Sequence, residues 1–164
     1  MNEITKQLFA KIYLETATSE DYVDWAIVCL ENGSDSKNLR ILAAAEKPYY
    51  SPEIDKGFQR SLEELSWSYP NKEESLLNYA KYLAKKIISA ELTPKQGCWE
   101  IYHLNWELDE PDKLKSWFYL NEGINPENME WLVDSTEYSL LNESEKLNKA
   151  IVLEAKKLLE TDFS

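Results

Sequence analysis

The single histidine of the chain, His103, has a glutamate on either side of it at helical spacing. Glu100 precedes it by three residues and Glu107 follows it by four, so a helix through 95–107 would place all three on one face. A Glu-x-x-His pair is half of a di-iron carboxylate site, which needs a second such pair and two more glutamates. One histidine cannot supply the second pair. The sequence therefore favours a histidine at or near the surface and predicts no metal site.

Two cysteines, Cys29 and Cys98, are too few for a disulfide framework, and nothing in the sequence supports a bridge between them. With one histidine they offer no ligand pair at zinc spacing, such as C-x-x-C. Cys98 stands five residues before His103, so one helix would place the two on different faces. A catalytic Cys–His pair is therefore not expected. The apolar run around Cys29 is typical of a buried packing thiol.

Motifs for phosphate binding and for serine hydrolases do not occur in the sequence. No Walker, G-x-G-x-x-G or G-x-S-x-G pattern is found, and four scattered glycines cannot form a phosphate cradle. Catalysis by a carboxylate pair stays open, because 30 acidic residues produce many accidental pairs. We therefore predict no catalytic residue and no cofactor. The sequence favours a protein that is not an enzyme, without deciding the point.

Arg40 is the only polar side chain in the apolar stretch 39–45. A buried guanidinium needs a carboxylate or several carbonyl oxygens as partners. Asp24 is the single charged residue of another apolar run, 22–30, and is the obvious candidate. We therefore predict a buried, structural pair between Arg40 and Asp24 or another carboxylate, rather than an anion-binding site.

The charge of the chain is strongly negative and unevenly distributed. Its 164 residues include 18 basic and 30 acidic side chains, a net charge of −12. Residues 98–164 hold 6 of the basic and 15 of the acidic ones, a net charge of −9. Such a field repels nucleic acid and anionic membranes and speeds the encounter with a basic protein. We expect a basic protein partner, no nucleic-acid partner and no membrane partner.

A predicted helix over 127–141 combines acids with aromatic side chains on one side. Its core face would hold Met129, Leu132, Val133, Thr136 and Leu140, at about 100° per residue. The opposite side carries the candidate partner-binding residues Glu127, Glu130, Trp131, Asp134, Glu137 and Tyr138. Aromatic anchors among charges are typical of a protein-binding face. The alternative is that Trp131 and Tyr138 pack on a flanking helix, with the acids in solvent.

The elements that position these residues are predicted to be helices throughout. Proline after a capping side chain marks helix starts, and Gly33 reads as a helix stop. The predicted helices lie near 3–15, 19–32, 36–46, 52–66, 72–91, 95–106, 112–121, 127–141 and 144–160. Residues 101–106 would also suit a strand but have no clear partner. We predict an all-α fold, a single domain over 1–164 with about eight to nine helices. A short degenerate stack of helical pairs is the alternative arrangement.

Within this array, residues 22–30 are expected to form the central helix. A helix that is apolar all round is buried all round, and Asp24 is the only charged residue here. Trp25, Ala26, Cys29 and Leu30 should therefore be almost fully buried. By contrast, helix 72–91 is amphipathic, and Leu147, Ile151, Ala155 and Leu158 give the last helix one apolar face.

The N-terminal segment and the apolar runs bear on the compartment. Charged residues recur through 1–15, with no apolar h-region and no small-residue cleavage site, so we expect no signal peptide. The longest apolar run, 25–30, is far shorter than the roughly 20 residues of a spanning helix. We expect a soluble protein in a reducing cytoplasm.

Two segments in the first half of the chain resemble a known family. They are Asp21-Tyr22-Val23-Asp24-Trp25-Ala26 and Gly33-Ser34-Asp35-Ser36-Lys37-Asn38-Leu39-Arg40-Ile41-Leu42-Ala43, followed by Phe58, Leu62, Glu64 and Leu65. With these residues the chain is similar to a family of small uncharacterised bacterial all-α proteins. The resemblance implies an all-α fold and a bacterial cytoplasmic origin. It implies no mechanism.

Three functions remain to be weighed. The first is a non-enzymatic acidic protein-binding module, in its sharpest form an immunity-type or antitoxin-like inhibitor of a basic protein. The second is a small-molecule-binding or enzymatic helical domain with an aromatic-lined pocket, motivated by the 12% aromatic content. The third is an acidic mimic of DNA, which the lysines of the first half disfavour. A deep pocket with convergent polar groups would favour the second function over the first.

Overall fold

Residues 3–108, 111–122 and 142–163 are described by a computed structural model, and the regular elements in these ranges are all helices. The α-helices are α1 Glu3–Tyr13, α2 Ser19–Glu31, α3 Lys37–Ala43, α4 Ser51–Glu64, α5 Lys72–Ile88, α6 Pro94–Leu104, α7 Lys115–Asn121 and α8 Glu143–Glu160. Short 3₁₀ helices lie at Asn105–Glu107 and Pro111–Leu114. The predicted all-α fold is confirmed, and residues 101–106 belong to helices and not to a strand.

Local capping explains where several helices begin. Thr18 and Asp21 form a capping box at the start of α2, and Asn142 and Glu145 form another at the start of α8. The Thr93 side chain accepts a hydrogen bond from the Gln96 backbone at the start of α6. Each cap satisfies backbone N–H groups that a helix start leaves without partners. These starts lie within two residues of the predicted ones.

Several predicted helices differ from the observed elements, and one lies outside the described residues. The helices predicted over 36–46 and 72–91 each end three residues early, at Ala43 and Ile88, and the one predicted over 95–106 ends as an α-helix at Leu104. The helix predicted over 112–121 is divided into a 3₁₀ helix and α7 at Leu114. The predicted helix 127–141 falls outside the ranges that the structure describes.

Contacts divide the chain into two units, residues 1–75 and 76–164. In the first unit, α1, α3 and α4 pack against α2. Trp25 is fully buried, and its indole N–H donates to Thr5 Oγ1 at 3.0 Å. Its ring lies 4.9 Å from that of Phe58, which lies 6.1 Å from Phe9. The core of this unit therefore centres on aromatic rings from α1, α2 and α4.

The prediction that residues 22–30 are buried on all sides is wrong. Trp25, Ala26 and Cys29 are buried as expected, but Leu30 is only half-buried. Asp24 is exposed, and Ile27 is 38% exposed. The neighbouring helices cover one side of α2, and its other side faces solvent.

In the second unit, α6, α7 and α8 pack on one another, and α5 contributes an apolar face. The buried side chains of α6–α8 include Ile101, Leu104, Leu114, Trp117, Leu120, Ala150, Ile151, Ala155 and Leu158. Leu147 is half-buried rather than part of the core. Ile87 of α5 approaches α6 so closely at Gly97 that a Cβ there would lie 2.3 Å from Ile87 Cγ1. Because contacts divide the chain into two compact units, the single domain predicted over 1–164 stays a prediction.

Within the described ranges, no helix combines the length and the apolar character that crossing a bilayer would require.

Candidate functional site

The predicted partner-binding residues lie outside the described ranges. They are Glu127, Glu130, Trp131, Asp134, Glu137 and Tyr138. Their role as an interface stays a prediction from the helical pattern and the charge. The site described below consists of other residues.

Helix α6 and the 3₁₀ helix after it carry a row of ring-bearing side chains on their outer side. Trp99, Tyr102 and His103 lie on one face of α6 at the i, i+3 and i+4 spacing, and Trp106 of the following 3₁₀ helix contacts Tyr102. Trp99 is 56% exposed and Trp106 is 70% exposed. The opposite face of α6 is buried, through Gly97, Cys98, Ile101 and Leu104. The helix therefore has two apolar faces, of which one is in the core and the other lies at the surface.

Helix α7 adds two further rings to this row. The rings of Phe118 and Tyr102 lie 5.9 Å apart, and those of Phe118 and Tyr119 lie 5.5 Å apart. On α6, the rings of Trp99 and His103 lie 4.1 Å apart, and Tyr102 contacts both His103 and Trp106. These six residues form one connected set, here called the aromatic surface: Trp99, Tyr102, His103, Trp106, Phe118 and Tyr119. Beneath it, Trp117 and Leu120 fix α7 to the core.

The segment of the sequence that carries the aromatic surface is acidic. Residues 94–122 contain six acidic and three basic side chains. Glu107 directly follows Trp106 and is exposed, and Glu122 is exposed one turn after Tyr119. Of the lysines, Lys115 lies 3.5 Å from an Asp112 oxygen, which offsets its charge.

His103 lies at the surface, as the sequence favoured, with its ring packed on Trp99. The face that it was expected to share with Glu100 and Glu107 is interrupted, because α6 ends at Leu104 and Glu107 belongs to the 3₁₀ helix. Among the residues that the structure describes, no three His, Cys, Asp or Glu side chains are grouped as a metal site would require. His103 thus acts here as a ring within the aromatic surface.

The cysteines are buried thiols in both units. Cys98 lies beneath α6, and its thiol is 3.9 Å from the carbonyl oxygen of Trp117. Burial raises the pKa of Cys98 to about 12, so the thiolate that a nucleophile requires is not formed at neutral pH. Its side chain and the exposed His103 lie on different faces of α6, as the spacing predicted.

Arg40 pairs with a carboxylate, as predicted, but its partner is Asp35 rather than Asp24, and the predicted burial of the pair is wrong. Arg40 is exposed, and its Nε lies 3.2 Å from Oδ1 of Asp35, which is also exposed. Only Leu39 and Leu42 of α3 are buried, so a helix of seven residues leaves the intervening Arg40 in solvent. Asp24 is exposed on α2. An exposed pair of this kind contributes little to stability.

The aromatic surface could have been found from the sequence. The signal is a set of ring-bearing residues that recur at helical spacing on α6. They lie on a different face from the buried residues Gly97, Cys98, Ile101 and Leu104. The predictions for residues 99–107 concerned metal ligands instead, and the predicted interface lies on 127–141. The two rings from α7 have no comparable signal, because only packing brings Phe118 next to Tyr102.

Compared with protein-family models, with curated proteins and with solved structures, the chain has no significant match.

Proposed function

We propose that this chain is a non-enzymatic, acidic protein-binding module whose partner is a basic protein. The observation that carries the proposal is the aromatic surface, in which five ring contacts connect six rings from α6, the 3₁₀ helix after it and α7. Tryptophan and tyrosine dominate binding energy at protein interfaces, and contiguous exposed apolar patches mark interaction sites. Trp99 and Trp106, both more than half exposed, are the anchors of the proposed interface.

The chemistry of the surface favours a cationic partner. An arginine or lysine side chain is attracted to the face of an aromatic ring, and most strongly to tryptophan. The surrounding carboxylates, such as those of Glu107 and Glu122, attract the same groups. The net charge of −9 over residues 98–164 adds long-range steering toward a basic protein. Nucleic acid and anionic membranes are disfavoured on the same grounds.

A more specific proposal about the interface and the kind of partner rests on the sequence. Residues Glu127, Glu130, Trp131, Asp134, Glu137 and Tyr138 would extend the interface with the same combination of acids and rings. An acidic protein of 164 residues that covers a basic partner has the character of an immunity-type or antitoxin-like inhibitor from a bacterial cytoplasm. The buried free thiols of Cys29 and Cys98 are compatible with a reducing compartment.

The test is capture of partners from a lysate of the source cells, with immobilised chain as wild type and as a Trp99→Ser/Trp106→Ser variant. We expect a protein of high isoelectric point to be retained by the wild type and lost from the variant. Ile27→Ser is the control, since Ile27 is 38% exposed, belongs to the first unit and lies outside the aromatic surface. Retention of the same proteins by all three, or of acidic proteins only, would contradict the proposal.

The more specific proposal has a separate test. If the captured protein is toxic when expressed alone, co-expression of the wild-type chain should restore growth, and co-expression of the double variant should not. A captured protein that is basic but harmless would refute the immunity-type function while leaving the protein-binding function in place.

A further inference from the structure

A groove in the first unit lies between α3 and α4 and has no part in the aromatic surface. Its volume is about 280 Å³, near the lower end of the roughly 300–1,000 Å³ typical of small-molecule sites. Its apolar walls come from Ile41 and Leu42 of α3 and Ile54 of α4, and Tyr49 and Tyr50 from the connection add two rings. All of its lining residues fall within 41–57. The groove is therefore short and is formed by a single pair of consecutive helices. A small molecule fits such a groove better than an extended peptide does.

Gly57 of α4 lines this groove, and packing does not require a glycine there. The nearest atom to a Cβ at this position would be Leu42 Cδ1 at 3.5 Å, an ordinary van der Waals distance. A glycine inside a helix costs about 0.5–1 kcal/mol relative to alanine. Glycine is used where another molecule must approach the backbone closely. Its position on the groove wall is explained if a ligand occupies the space that a side chain would take.

The charge of the groove selects a cation. Two carboxylates, those of Glu46 and Glu53, belong to the lining, and no lysine or arginine is among the described lining residues. Within the described ranges neither carboxylate has a salt bridge or a side-chain hydrogen bond. The ammonium of Lys47 is bound by Glu20 at 2.6 Å and also lies 5.7 Å from the centroid of the Tyr49 ring, so that ring already has a cationic neighbour. A ligand cation is therefore attracted here by the two acids and by the ring of Tyr50.

From these observations we propose that the groove binds a small organic cation, an ammonium group on a short apolar or aromatic body. The ammonium would pair with Glu46 and Glu53, and the body would lie against Ile41, Ile54 and the tyrosine rings. This site is independent of the proposed protein-binding function. It belongs to the other unit and involves none of the residues of the aromatic surface.

Titration of the ¹⁵N-labelled full chain with phenethylammonium, followed by amide chemical shifts, tests the proposal. We expect saturable shifts that are centred on residues 46–57 and absent from α6 and α7. Phenethyl alcohol has the same body without the charge, and phenylacetate reverses the charge. Both should bind at least about tenfold more weakly, since loss of a charge-assisted contact typically costs that much.

Variants separate the site from general charge effects. Glu53→Gln should weaken binding of phenethylammonium about two- to fivefold, the range expected for an ion pair with an exposed carboxylate, whereas Glu63→Gln, an exposed acid on the same helix, should leave it unchanged. Gly57→Ala should weaken binding by filling the groove wall, while the domain stays folded. The proposal is overturned if the alcohol binds as well as the amine, if Glu53→Gln and Glu63→Gln act alike, or if a lysine-containing peptide binds where free amines do not.

Discussion

Asp21 binds the side chains of Lys11 and Thr18 at the start of α2 and makes the stability of the first unit depend on pH. Burial disfavours its charged form, but hydrogen bonds from Lys11 and from the backbone and hydroxyl of Thr18 outweigh burial and lower the pKa of Asp21 below its ordinary value of 3.8. A carboxyl group whose pKa is lower in the folded state stabilises that state above the unfolded-state pKa. The stabilisation is lost as the pH falls through the folded-state value.

We therefore expect Asp21→Asn to reduce the free energy of unfolding at neutral pH and to have a diminishing effect in acid. Urea denaturation of both proteins between about pH 6 and about pH 2.5 measures the difference. The two curves should converge at the acid end. Glu31→Gln, at an exposed acid on the same helix, is the control and should show no such convergence. A constant difference between wild type and Asp21→Asn at every pH would show that the charge of Asp21 is not the cause.

At the scale of helices, two glycines that both lie within α-helices have opposite surroundings. Gly57 in α4 has space for a methyl group, whereas Gly97 in α6 lies against Ile87 of α5. Ile87 is buried and β-branched, so its helical rotamer is strongly restricted and it cannot move aside easily. Gly57 lowers the helix propensity of α4 and is not required by packing. Gly97 allows α5 and α6 to approach each other closely.

Alanine at these two positions should change stability in opposite directions. We expect Gly57→Ala to raise the free energy of unfolding by about 0.5–1 kcal/mol, from helix propensity. Gly97→Ala should lower it by about 1–3 kcal/mol, from overpacking against Ile87. Urea midpoints at constant slope measure both. A stabilised Gly97→Ala protein would mean that α5 and α6 are not packed as described.

The helices also show how far the sequence predicts this structure. Helix starts at α2, α6 and α8 were predictable, because capping by Thr18, Thr93 and Asn142 is local chemistry. Burial was less predictable. A run of apolar residues indicates that a helix packs, but its length and neighbours decide how many sides are covered, so Arg40 and Leu30 are more exposed than expected. The aromatic surface shows both cases. The rings of α6 can be predicted from their helical spacing, whereas the rings of α7 join them only through tertiary packing.

For the whole molecule, the two units carry different candidate sites. The groove between α3 and α4 belongs to residues 1–75, and the aromatic surface belongs to residues 76–164. The excess of acids in residues 98–164 acts over a longer range than either site and concerns the rate of encounter with a partner.

This charge predicts how association with a basic partner depends on salt. The association rate constant should fall as ionic strength rises, because screening shortens the range of the field to about 10 Å at 0.1 M salt. The dissociation rate should change much less, since it depends on the buried rings. Stopped-flow measurements from low to high salt separate the two. An association rate that does not change with salt would argue against electrostatic steering.

The central claim is that the aromatic surface binds a basic protein, and calorimetric titration of the captured partner into Trp106→Ala tests it most directly. Trp106 is 70% exposed, so its removal should leave the urea midpoint of the chain unchanged. At the centre of an interface, its loss should weaken binding by about 2–4 kcal/mol, which is roughly 30-fold to 1,000-fold in Kd. Ile27→Ala, at an exposed apolar residue of the first unit, should bind as the wild type does. Unchanged affinity of Trp106→Ala, with the fold intact, would contradict the account.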